Sequence, residues 1–407
     1  MHLPHSIERK VSILDTAVDR TITHLPTPGD HYSPSTGSAI VTVIYQMTRW
    51  HVQTGAQSRV IVGKGTRHDY PVGECIEVPF GPLPSKKQKA IDIALGRIGL
   101  GRANIRRTVR PALEALNADY TGAIVAYNSP ASMNVFREKC PRAIVALYCQ
   151  NSLFASYTSS EAVRTLKGAD RVICCSGYIK DELQQKLGKQ DDRLFTVHNG
   201  SDTDMFRPAD TVPEGRPRIL FVGRVIPDKG PNLLLSAAVN LANKGLDFEI
   251  RIVGSAGFNA RADLSPFERN LRELANQLGD RVVFVPFQDR VQVINEYRSA
   301  TIFCAPSNWE DPCPLIVPEG MACGLPVVAS RKGGIPEVGQ DTVLYFNPPN
   351  SDELADQLEK LLVDPALRRD LALRARARAE QVSWKNQYKL VHQALFGETP
   401  PVSTVEM

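Results

Sequence analysis

No apolar stretch in the 407 residues approaches a membrane span: runs such as Ala143 to Leu147 fall far short of the roughly 20 residues such a helix needs. The start, MHLPHSIERK, has no apolar core before a small-residue cleavage site, so no secretory signal is expected. The expected location is cytoplasmic, at most peripheral at the inner face of a membrane. No charge of one sign dominates, since 48 Lys and Arg stand against 44 Asp and Glu; the formal charge of +4 gives no general reason to invoke nucleic acid. The eight cysteines, at 75, 140, 149, 174, 175, 304, 313 and 323, form no Cys-x-x-Cys pair. They read as reduced, mostly buried thiols and not as staples or a zinc site. A repeat of solenoid period is missing, and so is a strict nicotinamide-cofactor fingerprint. Gly63 and Gly65 lack the third glycine, and Gly96, Gly99 and Gly101 lack the strand-to-helix context.

What is present is an alternation of short β-rich runs with longer helical patterns, which predicts an α/β fold of parallel sheets. In the first half the expected strands are 21–25, 59–62, 123–126, 143–148, 171–175 and 195–198, with a helix over 38–51. PADTVPEGRP, 208–217, has three prolines and no periodicity and reads as a linker. A second series follows, with strands at 218–222, 249–253, 281–285, 301–305, 326–329 and 343–346 and helices at 233–244 and 269–278. The expected organisation is two doubly wound, Rossmann-like domains facing across a cleft, 1–207 and 208–382, with 383–407 as a final helix and tail. Interdomain clefts are where ligand sites tend to lie.

Several segments could serve such a site. PTPGDHYSPSTGS follows the first strand, so Gly37 and Ser38 sit at a strand-to-helix turn whose amides could face the cleft. FVGRVIPDKG follows the first strand of the second half. It sets Gly223 and Arg224 at the strand end and Lys229-Gly230 at a helix start, a planar fork and a mobile point charge suited to a diphosphate. Two ordinary surface cations are the bland alternative. PSNWEDPCPLIVPEG, 306–320, carries Glu310 and Asp311 and then Glu319, separated from Asp311 by seven residues. Its carboxylates could accept from sugar hydroxyls and its loop amides between Cys313 and Ile316, Pro314 having no N–H to give, could face phosphate, although Glu319 could equally cap its own helix.

Gly223-Arg224 with Lys229-Gly230, an acid-x7-Glu element about ninety residues on, and then GGIPE resemble the retaining glycosyltransferases of family 4, which have the GT-B fold. VHNGSDTDMFRP, 197–208, resembles that family's stretch before the linker, and 171–176 the strand preceding it. The resemblance implies that Arg224 and Lys229 hold the diphosphate of a nucleotide-sugar donor, a UDP-sugar first and a GDP-sugar next. It implies Glu319 at the ribose, and Asp311 with Cys313, Pro314, Leu315 and Ile316 at the transferred hexose, Glu310 being the neighbouring candidate acid. Gly37, Ser38, Gly223, Gly254, Val285 and Phe287 are expected around the donor, and Tyr32, Asn128, Gln150 and Asn151 on the acceptor side. No cofactor and no metal are expected; Asp202-Thr203-Asp204 spells Asp-x-Asp but reads as a turn. A final helix from Trp384 to Phe396 should cross back onto the first domain. The chain departs from the family pattern in carrying Asp311 for Glu, Cys313-Pro314 for Phe-Gly, and Gln150 where many relatives carry His.

Two charged segments stand apart. Residues 86–110 hold eight Lys or Arg against one acid, Asp92, with Ile91, Leu95, Ile98 and Ile105 near helical spacing. A solvated basic surface and a weak contact with an anionic membrane or acidic acceptor are the two readings. Arg374, Arg376 and Arg378 read as a solvated basic helix face. The rival functions are another GT-B enzyme, such as a nucleotide-sugar epimerase or a phosphorylase, and a sugar-nucleotide-binding protein without catalysis.

Overall fold

A computed structural model describes residues 19–211, 215–258, 260 and 263–400. Parts of the expected first domain (1–18), linker (212–214) and tail (401–407) lie outside the described residues.

The first half forms one parallel sheet of strands β1 (Ile22–Leu25), β2 (Ser58–Gly63), β3 (Glu74–Val78), β4 (Ala123–Tyr127), β5 (Ile144–Cys149), β6 (Arg171–Cys174) and β7 (Leu194–Thr196), in the order β3-β2-β1-β4-β5-β6-β7. Its helices are α1 (Ala39–Val52), α2 (Lys86–Arg97), α3 (Ala103–Val109), α4 (Met133–Lys139), α5 (Ser159–Thr165) and α6 (Gly177–Leu187). β1 and β4 are buried along their whole length, as strands covered by helices on both faces must be. The second half repeats the plan with β8 (Arg218–Val222), β9 (Glu249–Val253), β10 (Val282–Val285), β11 (Ile302–Ala305), β12 (Val327–Ser330) and β13 (Leu344–Phe346), in the order β10-β9-β8-β11-β12-β13. With it come α7 (Pro231–Asn243), α8 (Pro266–Ala275), α9 (Val293–Arg298), α10 (Ile316–Ala322), α11 (Ile335–Gly339), α12 (Ser351–Val363) and α13 (Pro365–Gln381), followed by α14 (Trp384–Phe396).

In both sheets the winding direction reverses at the centre, between β1 and β4 and between β8 and β11. Loops leaving strands on either side of such a point diverge and open a crevice. The two sheets aim these crevices at each other. α14 ties the halves together: Trp384 donates its backbone N–H to the Ser201 carbonyl at 3.0 Å, Arg171 donates to the Ala394 carbonyl at 2.8 Å, and the Tyr388 hydroxyl meets His51 Nδ1 at 2.9 Å. One apolar core runs without a break from the first sheet to Val317, Met321 and Ile335 of the second half, while a separate cluster fills the far face of the second sheet.

Three sequence expectations need correction. β3 is absent from the expected strands because ECIEV is an edge segment whose exposed Glu74 and largely exposed Glu77 break the apolar signal. The final strand of the first sheet is Leu194–Thr196, ending earlier than 195–198. Arg374, Arg376 and Arg378 are half-buried and structural. Arg376 donates to the carbonyls of Thr203, Phe206 and Ala322, and Arg378 to those of Glu337 and Val338, so the helix face holds the domain junction together.

Candidate active site

The facing crevices enclose a cavity of about 450 Å³ between the domains. Its second-domain wall is made by the loops after β8, β9 and β11. Gly223 and Arg224 leave β8, and Lys229 closes the short turn before α7, where Gly230 adopts φ +70° because any Cβ there would strike the Pro306 carbonyl. Gly254 (φ +142°) crosses directly over the Gly223 carbonyl, which leaves no room for a side chain. Arg224 is exposed to the cavity, whereas Lys229 reaches down to Asp311 at 2.5 Å and lies over the Trp309 ring, 5.4 Å from its centroid. Asp311 is 4% exposed and also accepts from the Ser307 hydroxyl at 3.3 Å. Cys313, Pro314, Leu315 and Ile316 carry the wall to α10.

Glu319 lines the cavity but caps nothing. Its carboxylate pairs with Arg290 at 2.5 Å and accepts from the Tyr297 hydroxyl at 3.3 Å. Burial pushes its pKa up, and the Arg290 charge and hydrogen bond, helped by Tyr297, offset part of that rise. Arg290 is held in turn over the Phe206 ring, 5.1 Å from the centroid.

The first domain supplies Asp30, Thr36, Gly37, Ser38 and Thr42 on one side and Gln150, Asn151 and Asn199 on the other. Ser38 starts α1, its hydroxyl accepting from the Val41 amide. A Cβ on Gly37 would run into the ring of Phe258, which reaches over from the second domain and is half exposed. Asn199 crosses the seam: its side-chain N–H donates to Gln150 Oε1 at 2.9 Å and to the Cys313 carbonyl at 2.8 Å, and its backbone N–H to Cys313 Sγ. Beside the cavity, Glu337 caps α6 across the same seam, accepting from the amides of Gly177 and Tyr178 at 2.6 and 2.7 Å and meeting His198 at 2.9 Å. Burial alone would raise the Glu337 pKa; His198 and the two amides outweigh it and hold the carboxyl low.

Four expected site residues are placed elsewhere. Glu310 points outward to Lys332 and the Gly333 amide, since only one of two adjacent acids can face the cavity. Val285 lies one layer back, its carbonyl accepting from the Gly254 amide at 2.9 Å. Tyr32 is buried in the first domain with its hydroxyl on the Val72 carbonyl. Asn128, at φ +51°, acts behind the wall: its Oδ1 accepts the Gln150 amide at 2.7 Å and so fixes that loop. Asp202 forms a turn, accepting from the amides of Asp204 and Met205, and pairs with Arg49 at 2.5 Å. Among the described residues no cluster of three or more His, Cys, Asp or Glu could hold a metal ion.

The sequence reading missed Arg290, Asn199, Trp309, Phe258 and Asp30. Asn199 stood inside a quoted motif and Trp309 two residues before Asp311, so proximity to the motifs was the available signal. Asp30 is the lining carboxylate without an ion pair, and burial raises its pKa against the Ser38 hydroxyl.

Arg224, Lys229 and the two buried carboxylates Asp311 and Glu319 thus line one interdomain cavity. Residues 40–205 match the family described as Glycosyltransferase Family 4, and residues 202–378 match Glycosyl transferases group 1. The chain belongs to the family 4 glycosyltransferases and has the GT-B fold. This glycosyltransferase is 25% identical to spore coat protein SA of Bacillus subtilis over 62% of its own length and 72% of that protein's. It is 32% identical to a D-inositol 3-phosphate glycosyltransferase of Saccharomonospora viridis, and the match covers 53% of each chain, so it spans about half the length of that relative. In fold it is similar to sucrose-phosphate synthase from Thermosynechococcus elongatus (TM-score 0.72, 20% identity, covering 92% of this chain and 98% of that one). It is also similar to Anabaena HepE in complex with UDP (TM-score 0.68, 18% identity, 93% and 100%). No helix among the described residues is long and apolar enough to cross a membrane.

Proposed function

We propose that this glycosyltransferase moves a hexose from a nucleoside diphosphate sugar, a UDP-sugar first and a GDP-sugar next, to a hydroxyl or amine acceptor with retention at the anomeric carbon. The observation that carries the reading is the gathering of Arg224, Lys229, Asp311 and Glu319 on one wall of a single interdomain cavity. The solved HepE complexes, which contain UDP and UDP-glucose, support the choice of donor.

In this reading Arg224 and Lys229 take the diphosphate, and Lys229 exchanges part of its contact with Asp311 for a phosphate oxygen. Glu319, held by Arg290, accepts from the ribose hydroxyls, and Asp311 orients the sugar. Breaking the bond to phosphate builds negative charge on the leaving group, so fixed cations favour the transition state over the ground state. Asp311 and Glu319 are each held by a cation and a hydroxyl, which suits them to binding and orienting the donor rather than to attacking it. That fits a same-face transfer in which the leaving phosphate helps to deprotonate the acceptor. No metal and no cofactor enter this scheme. Phe258 over Gly37 and Asn199 on Cys313 hold the domains against each other and limit hydrolysis of the donor by water.

Thermal shift with UDP, GDP, ADP and their sugars tests it. A ligand present at about a hundred times its Kd adds roughly 2.7 kcal/mol, enough to move the melting point by degrees. A shift with one diphosphate series, followed by slow release of free sugar and diphosphate, is the expected result. A flat response to every nucleotide would overturn the donor assignment.

A further inference from the structure

The hairpin of α2 and α3 exposes an apolar stripe that no other described part of the chain covers. Its inner edge is pinned to the first domain. The buried Asp92 carboxylate accepts from the amides of Asn104 and Ile105 and from the Asn104 side chain, at 2.9 to 3.0 Å, and so caps α3. Gly96 lies against Glu161, and Arg164 donates to its carbonyl at 3.0 Å. Pinning that edge turns the opposite face outward. Lys87, Ile91, Ala94 and Ile98 follow one another at intervals of four, three and four residues, one face of a helix.

Ile91 is 52% exposed and Ile98 71%, with Leu83 just before the helix at 59% and Leu100 just after at 68%. Four of the twelve exposed large apolar side chains among the described residues thus fall between positions 83 and 100, a cluster rather than single scattered residues. The charge around them has one sign. Lys86, Lys87, Lys89, Arg97, Arg107 and Arg110 are all exposed, and among the described residues none is in an ion pair. The segment's one acid, Asp92, is spent inside the hairpin.

We propose that this hairpin docks the protein on the surface of an anionic bilayer. Leu83, Ile91, Ile98 and Leu100 enter the boundary of the acyl chains while the lysines and arginines meet lipid phosphates. A second copy of the chain is disfavoured, because two such faces would set like charges against each other. A nucleic acid backbone offers phosphates but no apolar phase for four aliphatic side chains. The inference does not depend on the identity of the donor.

Cosedimentation of the full-length chain with vesicles decides it, using phosphatidylcholine alone and phosphatidylcholine mixed with phosphatidylglycerol, at low salt. The mixed vesicles should bind it at least about tenfold more tightly than the neutral ones, since each exposed cation near such a surface adds to the attraction. K86Q/K87Q/K89Q should lose most of that preference. I91S/I98S should weaken binding to the mixed vesicles about tenfold while leaving the melting point and donor hydrolysis unchanged, since these side chains touch neither core nor cavity. Equal partition to both vesicles, no binding at all, or an I91S/I98S variant that binds as tightly as the parent would overturn the proposal. So would tighter binding to duplex DNA, or a dimer in equilibrium sedimentation that I91S/I98S dissolves.

Discussion

Lys229 and Asp311 share one contact in the cavity wall, and each is the other's counter-charge at a largely buried position. Lys229→Met removes the ammonium and strands a buried carboxylate. We expect kcat/KM for sugar transfer to fall about 10²–10³-fold, the scale on which a single preorganised oxyanion donor acts, with Lys229→Arg recovering part of it in steady-state kinetics. Arg290→Met acts differently. Glu319 keeps the burial that raises its pKa and loses the cation that opposes it, so the carboxyl titrates higher. Donor affinity of the variant should then weaken as pH falls and recover as it rises, with the loss setting in at higher pH than in the parent. Calorimetric titration at a series of pH values checks it, and parallel profiles would count against the positioning role of Arg290. Lys229, Asp311 and Glu319 were legible because motif spacing marks them. Arg290 was not, because nothing near it in the chain says that α9 begins opposite α10.

At the scale of elements, two of the contacts that join the domains make predictions. Trp384, 1% exposed, opens α14 where the chain returns to the first domain. Truncation to Ala should cost about 3–5 kcal/mol, measurable as a lowered urea midpoint. Gly37 meets Phe258 across the cleft. Gly37→Ala should depress donor turnover by displacing that ring, and adding Phe258→Ala should restore part of the loss, a coupling that a double-mutant cycle reads directly. A Gly37→Ala variant that Phe258→Ala leaves unimproved would show that the two do not communicate. Most strands announced themselves as short β-branched runs, whereas the span of α14 came from the resemblance to the family. β3 did not announce itself, since an edge strand needs only one apolar face.

For the whole molecule, acid stability follows from histidines held neutral inside the first domain. Burial lowers the His24 pKa to about 3 and that of His51 to about 4. In the unfolded chain both protonate near 6.5, so below that pH the unfolded state binds more protons and stability falls with falling pH. The loss begins near pH 6.5 and continues through the folded values; at pH 4 it amounts to roughly 3 kcal/mol for each group. Urea midpoints between pH 7.5 and 4.5 should decline, and His51→Gln should flatten the slope. A midpoint independent of pH in the parent would contradict the buried-neutral assignment.

Local chemistry in the sequence was enough to determine the alternation of strand and helix, the two-domain plan and the positions of the diphosphate-binding candidates, because each is written in periodicity or fixed spacing within a short window; the return of the last helix followed from the resemblance to the family. Which of the neighbouring acids Glu310 and Asp311 faces the cavity, that Arg290 answers Glu319, that Asn199 and Glu337 bridge the domains, and that Arg376 is half-buried on backbone carbonyls rather than solvated were decided only on folding. Those outcomes depend on which residues the reversal points of two separate sheets bring within a few ångströms, and partners scores of residues apart leave no periodic trace in the chain.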